Sequence, residues 1–382
     1  MRAANRLHSV QEYYFSRKLR EVRGLIAKGK DIINMGIGSP DLAPPQSVVE
    51  ALTQSLSHPT AHKYQSYQGT PELRQAIVAY YQNFFGVSLD ATHEVLPLMG
   101  SKEGIMHISM AFLNEGDGVL IPNPGYPTYA SVTELVGAHA VPYALSAATN
   151  WLPNLNELAK QDLSGVKLMW VNYPHMPTGA KATMSFFEEL IAFAKQHDIL
   201  VVNDNPYAHI LNSEPLSLLQ ISGAMEVVLE LQSLSKAYNM AGWRVGMVCG
   251  SQTHIQDILK VKSNMDSGMF FGIQQGAIAA LNESADWFAQ MNEVYSNRRK
   301  LVWQLADALN TTYQKDTAGM FVWAKLPVGA TDSETYIDQI LKEKHIFITP
   351  GTIFGNAGEG YIRFSLCVSE ARINEALKRI KS

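Results

Sequence analysis

Short apolar runs alternate with stretches of helical spacing through the middle of the chain, between about residues 93 and 250. The runs begin at Val95, Val119, Val166, Ile199 and Val227. Strands that alternate with helices connect by right-handed crossovers, so the pattern predicts an α/β fold with a mainly parallel sheet and helices on both faces. Ligands of such sheets bind at the carboxyl ends of the strands. Residues just after each run are therefore the candidates for chemistry.

Capping residues predict the start and end of one helix and the start of another. Thr70 suits an N-cap, Pro71 suits the first helical position, and Gly86 suits the position after the end. Ser185 and Glu188 have the spacing of a capping box and predict that another helix begins there.

Composition and charge are those of an ordinary globular protein. The 382 residues are 46% apolar and 17% charged, with a net charge of −4. This predicts roughly two to three domains and gives no indication of nucleic-acid or membrane binding. Cys249 and Cys367 are too few for a disulfide framework and lack metal-ligand spacing, so we predict core positions and no metal site. The basic N-terminus lacks a signal-peptide apolar core, and no apolar run has transmembrane length, so we expect a cytoplasmic protein.

Lys236 stands at the end of a buried strand-like run, beside small hydroxyl residues. Ser233 and Ser235 flank it, and Arg244 follows eight residues later. Such a lysine is a candidate Schiff-base nucleophile, or alternatively a solvated loop residue. The arginine and hydroxyls suit a phosphate. An amine for a carbonyl and a guanidinium for a phosphate together indicate pyridoxal 5′-phosphate (PLP).

Other polar residues follow apolar runs in the same way. Asp204 ends a buried strand and needs a partner such as a protonated pyridine nitrogen, unless it is a helix N-cap. Ser101 and Lys102 lie at a strand-to-helix turn whose backbone N–H groups suit a phosphate. Arg363 lies inside the apolar run GYIRFSL, where a substrate carboxylate or a structural salt bridge would satisfy it.

The motif around the lysine resembles the signature of class I/II aminotransferases, the fold type I PLP enzymes related to aspartate aminotransferase. The matching pattern is S-x-S-K followed by G-x-R-x-G, with Gly242, Arg244 and Gly246, and the resemblance runs from about Ile32 to the C-terminus. It implies a large domain with a mostly parallel sheet sandwiched by helices, and a small α/β domain made from both chain ends. By analogy we expect an arm and part of the small domain in 1–45, the large PLP-binding domain in 46–275, and the C-terminal small domain in 276–382.

The resemblance also implies a role for each matching residue. Lys236 holds PLP as an internal aldimine and then shuttles a proton, Asp204 supports the pyridinium nitrogen, and Tyr207 donates to the phenolic O3′. Gly38 and Arg363 bind the substrate, Arg363 through the α-carboxylate, and Tyr13 in the N-terminal arm contacts the side chain. The remaining cofactor-binding residues are Ser101, Lys102, Tyr126, Asn172, Ser233, Ser235, Arg244 and, from the other subunit of a homodimer with active sites at its interface, Tyr64.

One departure from the family pattern concerns the cofactor's O3′. The segment 172–179 matches N-x-P-x-N-P-T-G except that Met176 replaces the second asparagine, which is a donor to O3′ in the family. Methionine has no N–H to donate. We therefore expect a raised pKa for the Lys236 aldimine, with Asn172, His175 or water as the open alternatives for the missing donor.

The resemblance predicts a PLP-dependent aminotransferase that moves the amino group of an α-amino acid to a 2-oxo acid by a ping-pong mechanism. A C–S β-lyase of the same fold is the first alternative. A non-catalytic PLP-binding regulator is the second, although the sequence leaves no room for a DNA-binding domain before Ile32. Aspartate, aromatic, aliphatic and diaminopimelate substrates all stay open, and the NMDSG run at 264–268 is similar to LL-diaminopimelate aminotransferases.

Overall fold

The chain forms an α/β structure in a computed structural model that describes residues 3–7 and 14–382. Its strands are β1 Ile33–Asn34, β2 Val95–Leu98, β3 Gly118–Asn123, β4 His139–Ala144, β5 Val166–Val171, β6 Leu200–Asp204, β7 Val228–Ser233, β8 Gly246–Gly250, β9 Thr312–Tyr313, β10 Phe321–Lys325, β11 Ile346–Phe347, β12 Thr349–Pro350 and β13 Tyr361–Ser365. Its helices are α1 Tyr14–Ala27, α2 Gln46–Ser55, α3 Pro71–Phe85, α4 Ser101–Phe112, α5 Pro127–Leu135, α6 Leu155–Leu158, α7 Met184–His197, α8 Leu234–Ala237, α9 Gln252–Lys262, α10 Phe271–Leu281, α11 Ala285–Ala308, α12 Ser333–Lys344 and α13 Glu370–Lys381.

The central sheet has seven strands in the order β2-β8-β7-β6-β5-β3-β4. All neighbours pair in parallel except β8, which runs antiparallel to both β7 and β2. Successive strand residues point to opposite faces. Trp170 and Val171 accordingly belong to two different buried apolar clusters, one on each side of the sheet. The predicted mainly parallel sheet with covered faces is confirmed.

A second set of strands brings distant parts of the chain together. The order β12-β13-β10-β9 forms an antiparallel sheet, and β1 pairs in parallel with β11, with Ile33 opposite Ile346. Beyond β1, Met35 N donates to Phe347 O at 2.8 Å, and Ser365 N donates to Met35 O at 2.8 Å. The segment after Met35 therefore starts beside β11 and β13 and runs toward the carboxyl edge of the large sheet. The domain boundaries given above stay a prediction.

One helix begins where expected and another does not. The Thr70 hydroxyl accepts a hydrogen bond from Leu73 N at 3.3 Å, and Gly86 ends α3 with φ 65°. For α7 the predicted capping box at Ser185 is wrong. Thr183 is the N-cap because its backbone is extended and its hydroxyl accepts from Phe186 N at 3.1 Å, which starts the helix at Met184.

Neither cysteine is disulfide-bonded. Cys249 is buried as predicted, whereas Cys367 is only partly buried and packs against the core. Among the described helices, none has both the length and the apolar content needed to cross a bilayer.

Candidate functional site

A cavity of about 560 Å³ lies at the carboxyl ends of β5, β6 and β7, beside the first turn of α4. Most of the residues singled out from the sequence line it, and their roles stay predictions. These residues are Gly38, Ser101, Lys102, Tyr126, Asn172, Asp204, Tyr207, Ser233, Ser235, Lys236, Arg244 and Arg363.

Lys236 is presented to the cavity by the short helix α8 that follows β7. The Ser233 hydroxyl caps this helix by accepting a hydrogen bond from Ser235 N at 3.2 Å. Lys236 Nζ donates to the carbonyl oxygen of Gly38 at 2.7 Å. Burial lowers the pKa of the Lys236 amine, and the guanidinium groups of Arg363 and Arg244 lower it further. The amine therefore loses its proton more readily than a solvated lysine, as a nucleophile must.

Asp204 is the last residue of β6 and is nearly fully buried. Its Oδ2 accepts a hydrogen bond from the Tyr129 hydroxyl at 2.9 Å, whereas its buried Oδ1 has no hydrogen-bond partner in the described part of the chain. Burial raises the pKa of Asp204 to about 6. The strand position excludes the N-cap alternative, and the unpartnered oxygen suits a ligand that carries an N–H.

Aromatic side chains form the walls next to Asp204. The Tyr207 ring meets the Phe321 ring edge-on, with centroids 5.9 Å apart. Tyr126 precedes α5 and meets Tyr129 edge-on at 5.5 Å. Burial raises the pKa of Tyr126 and of Tyr207, so both hydroxyls keep their protons and stay hydrogen-bond donors.

The turn before α4 packs directly against Arg244. Gly100 has φ 90°, and a Cβ atom there would lie 2.2 Å from Arg244 Nη2. Arg244 Nη1 donates to the Ser235 hydroxyl at 3.4 Å and to Ala241 O at 3.0 Å. The guanidinium thus lies beside the first backbone N–H groups of α4, at Ser101. The guanidinium is positively charged and the N–H groups at a helix N-terminus carry partial positive charge, so this corner of the cavity suits a phosphate.

Arg363 reaches the cavity from β13 on the small sheet. Its Nη2 donates to Gly36 O at 2.7 Å, and its Nη1 lies 3.4 Å from the sulfur of Met176. The guanidinium carbon lies 3.9 Å from the centroid of the Phe321 ring and 4.8 Å from that of Phe354. Stacking on two rings holds the guanidinium fork while leaving it beside the cavity.

The residues around Met176 limit the alternatives for the missing donor. Asn172 Nδ2 donates to the backbone oxygen of Asp204, and its Oδ1 accepts from Met176 N at 2.8 Å. His175 Nδ1 lies 2.8 Å from the Thr178 hydroxyl, and the ring is not part of the cavity wall. Burial lowers the pKa of His175 to about 3. Between Asn172 and His175, only the Asn172 side chain lines the cavity. Its amide group already forms hydrogen bonds with the backbone.

The two remaining predicted residues are Tyr64 and Tyr13. Tyr64 is 91% exposed and does not line the cavity, and Tyr13 lies outside the described residues.

Sequence reasoning also missed several residues that line the cavity, namely Leu19, Ile37, Ser39, Tyr129, Pro206, Ala241, Phe321 and Phe354. For Tyr129, its place three residues after Tyr126 at a strand-to-helix turn was an available signal. For Phe321 and Phe354 no local signal separates them from core phenylalanines.

The donor and acceptor set fits PLP. An acceptor oxygen without a partner at Asp204 matches a pyridinium N–H, the Lys236 amine matches an aldehyde, and the Gly100 turn with Arg244 matches a phosphate.

Comparison with known proteins gives consistent matches over the whole chain. The sequence profile of the family described as aminotransferase class I and II matches residues 30–380. An LL-diaminopimelate aminotransferase of Maridesulfovibrio salexigens is 40% identical over 99% of this chain and 98% of its own length. The apo structure of BacF from Bacillus subtilis has a TM-score of 0.96 and 33% identity, covering 100% of this chain and 98% of that one. A single mutant of Thermus thermophilus aspartate aminotransferase has a TM-score of 0.92 and 26% identity over 99% of both chains.

Proposed function

Because the chain belongs to the class I and II aminotransferases, which use PLP, we propose that the cavity around Lys236 is the site where it moves the amino group of an α-amino acid to a 2-oxo acid. The observation that carries this proposal is the convergence of Lys236, Asp204 and Arg363 on one cavity, with the Lys236 amine at 2.7 Å from Gly38 O. The family and the relatives are named as aminotransferases, so the C–S lyase alternative is not favoured.

Each polar group has one task in this reaction. PLP, when bound, supplies an electron sink for the charge that develops on the substrate's Cα. The Arg363 fork pairs with the substrate's α-carboxylate and thereby orients the Cα–H bond. Lys236 Nζ, whose pKa burial lowers, would accept the proton from the substrate's Cα and pass it to C4′ of the cofactor, which is general acid/base catalysis by a held amine.

The remaining residues hold the cofactor. Asp204 Oδ1 accepts from the pyridine N–H, while Tyr129 keeps the carboxylate in place through Oδ2. Arg244 and the first turn of α4 bind the phosphate, and the Tyr207 hydroxyl donates to O3′. The Asp204 carboxylate stays ionised beside a protonated pyridine because the two charges compensate each other.

We also infer a homodimer in which Tyr64 of one subunit reaches the phosphate of the other. One support is that Tyr64 is 91% exposed. A second is that loops 56–69 and 263–270 carry three more exposed apolar or aromatic residues, namely Tyr67, Met265 and Phe270. Apolar surface of this kind is typical of protein interfaces. A cytoplasmic location is inferred from two cysteines that are both unpaired.

A mixed dimer tests the reach of Tyr64. Tyr64→Phe and Lys236→Ala subunits are co-expressed with different tags, and the mixed species is purified. If Tyr64 acts across the interface, the Lys236-bearing site of the mixed dimer regains wild-type PLP affinity. If affinity stays at the Tyr64→Phe level, the residue acts elsewhere and the inference is wrong.

The absorption spectrum of the PLP-loaded protein tests the reaction itself. Single amino acids are added without any 2-oxo acid, beginning with LL-diaminopimelate because relatives about 40% identical over the full chain carry that name. Conversion of the PLP band to that of the pyridoxamine form shows the half-reaction and identifies the amino donor. Release of pyruvate and ammonia from cystathionine without a 2-oxo acid would contradict transamination. Lys236→Ala is the control, and it should show neither change.

A further inference from the structure

One short stretch of backbone, the 36–41 segment, contacts both cations that act on the substrate. Gly38 O accepts from Lys236 Nζ at 2.7 Å, and Gly36 O accepts from Arg363 Nη2 at 2.7 Å. The segment contains no helix or strand. Its position therefore has to be fixed by contacts with side chains and with neighbouring elements.

The beginning of the segment is held by side chains of β1 and β12. Asn34 Oδ1 accepts from Gly36 N at 3.0 Å and from Ile37 N at 3.3 Å. The Thr349 hydroxyl donates to Gly36 O at 2.9 Å. These bonds act at or before Ile37, so they leave Gly38 to be held from the other end.

The other end is held by an ion pair between Asp41 and Arg298. Arg298 Nη1 lies 2.6 Å from Asp41 Oδ1 and Arg298 Nη2 lies 2.9 Å from Asp41 Oδ2, which is the two-pronged geometry of a strong pair. Arg298 is 4% exposed and belongs to the long helix α11. A buried guanidinium on a 24-residue helix is a fixed point to which a loop carboxylate can be tied.

Arg298 also connects the segment to the chain just after β13, the strand that carries Arg363. Its Nη1 donates to Leu366 O at 3.0 Å, and Leu366 follows Arg363 by three residues. One guanidinium thus joins Asp41, at the end of the segment, to the chain next to the carboxylate-binding arginine. Neither Asp41 nor Arg298 lines the cavity among the residues the structure covers.

The segment needs such a tie because glycine is required within it. A Cβ atom on Gly38 would lie 2.4 Å from the Phe321 ring, so a side chain cannot take that position without displacing the ring. Glycine gives the backbone more conformational freedom than any other residue. Without an anchor after Gly38, its carbonyl would not stay directed at the Lys236 amine.

We propose that Asp41 and Arg298 are positioning residues that hold the 36–41 segment, and through its carbonyls the Lys236 amine and the Arg363 fork, in reacting position. The inference rests on the proposed function, in which Lys236 moves the proton and Arg363 binds the carboxylate. Misplacing a reacting group by about 1 Å is enough to cost about 100-fold in rate. The ion pair therefore affects catalysis without touching the substrate.

The test compares Asp41→Asn with the matched control Asp31→Asn in the PLP-loaded enzyme. Asp31 also forms a two-pronged pair, with Arg372 at 2.6 and 3.0 Å, but its contacts do not reach the cavity. We expect Asp41→Asn to lower kcat/KM by about 10- to 100-fold, with a raised KM for the amino acid and full PLP content. Asp31→Asn should leave kcat/KM unchanged.

Hydrogen exchange separates positioning from a general loss of structure. Amides of the 36–41 segment should exchange faster in Asp41→Asn, while those of the large sheet keep wild-type protection. Arg298→Lys keeps the charge but loses the fork, so its kcat/KM should fall between wild type and Asp41→Asn. Parallel loss of PLP content and thermal stability with an unchanged KM would overturn the proposal in favour of a purely structural pair.

Lys236→Ala, measured in the same series, separates the two levels of inference. If it is inactive while Asp41→Asn matches wild type, the positioning proposal fails and the proposed function stands. If Lys236→Ala keeps its activity, the proposed function fails and the positioning proposal is overturned with it. Loss of activity in both, with the local exchange pattern above, supports both.

Discussion

The PLP-free Asp204→Asn variant should gain an advantage in stability over the PLP-free wild type as the pH rises. This is expected even though the substitution removes a group on which the proposed reaction depends. Burial raises the pKa of Asp204 from 3.8 to about 6 in the folded chain. The folded state therefore binds this proton more tightly than the unfolded state does. The wild type loses stability as the pH rises from about 4 to about 6, and the loss is constant above that window.

The size of the effect follows from the two pKa values. A difference of about two units corresponds to about 3 kcal/mol at pH 8, where the folded carboxyl is ionised, and to about half of that at pH 5. Asparagine keeps an oxygen for the Tyr129 hydroxyl and carries no charge. The asparagine N–H₂ group, which takes the place of Oδ1, has no acceptor there. This costs stability, but the cost is the same at both pH values. The advantage of Asp204→Asn over wild type, in free energy of unfolding, should thus grow by about 1 to 2 kcal/mol between pH 5 and pH 8.

Urea unfolding of the PLP-free proteins at pH 5 and pH 8 measures this difference. Asp31→Asn is the control, because contacts with Arg372 and Arg379 lower the pKa of Asp31 to about 2. Its titration lies below the measured range, so its effect on the free energy of unfolding should not change between the two pH values. An Asp204→Asn advantage that is equal at pH 5 and pH 8, or smaller at pH 8, would refute the reasoning. With PLP bound, the order should reverse, since the variant gains less from the ligand.

Three further substitutions test separate parts of the cavity. Gly100→Ala places a Cβ 2.2 Å from Arg244 Nη2 at φ 90°, so PLP should bind about tenfold more weakly in an absorbance titration; unchanged affinity would contradict the phosphate assignment. Arg363→Lys should raise KM for the amino acid by about 10- to 100-fold because an ammonium lacks the fork. A loss of PLP affinity with an unchanged KM would instead indicate that Arg363 binds the cofactor. Met176→Asn adds an N–H donor, so the pKa of the Lys236–PLP imine should fall in a spectrophotometric titration, and an unchanged pKa would remove the proposed role of Met176.

Local sequence signals predicted the parts of the structure that depend on local chemistry. The alternation of apolar runs and helices predicted the large sheet, and Thr70 and Gly86 marked both ends of α3 because capping involves only neighbouring residues. Polar residues at or just after the ends of strands, such as Asp204 and Lys236, lie together at one edge because parallel strands end there together.

The parts that sequence reasoning missed depend on contacts between distant segments. Phe321 reaches the cavity from the small sheet, and nothing near it in the sequence distinguishes it from a core residue. Asn172 lines the cavity as expected, but its amide bonds the backbone of Asp204 and Met176, which no spacing rule reveals. The pair of Asp41 and Arg298 joins residues 257 positions apart. Only the tertiary structure brings such partners together.

The pairing of β1 with β11 sets an order of assembly during synthesis. All strands of the large sheet are made by Gly250, whereas the contacts that fix the 36–41 segment need Phe347, Thr349 and Leu366. At ribosomal rates the intervening stretch takes on the order of ten seconds. For that time a nascent chain contains the residues that we propose for the cofactor, but it does not contain Arg363, which we propose for the substrate. A chain cut short after the large sheet would retain Gly100, Arg244 and Lys236, but it would lack Arg363, the residue to which we assign the substrate carboxylate.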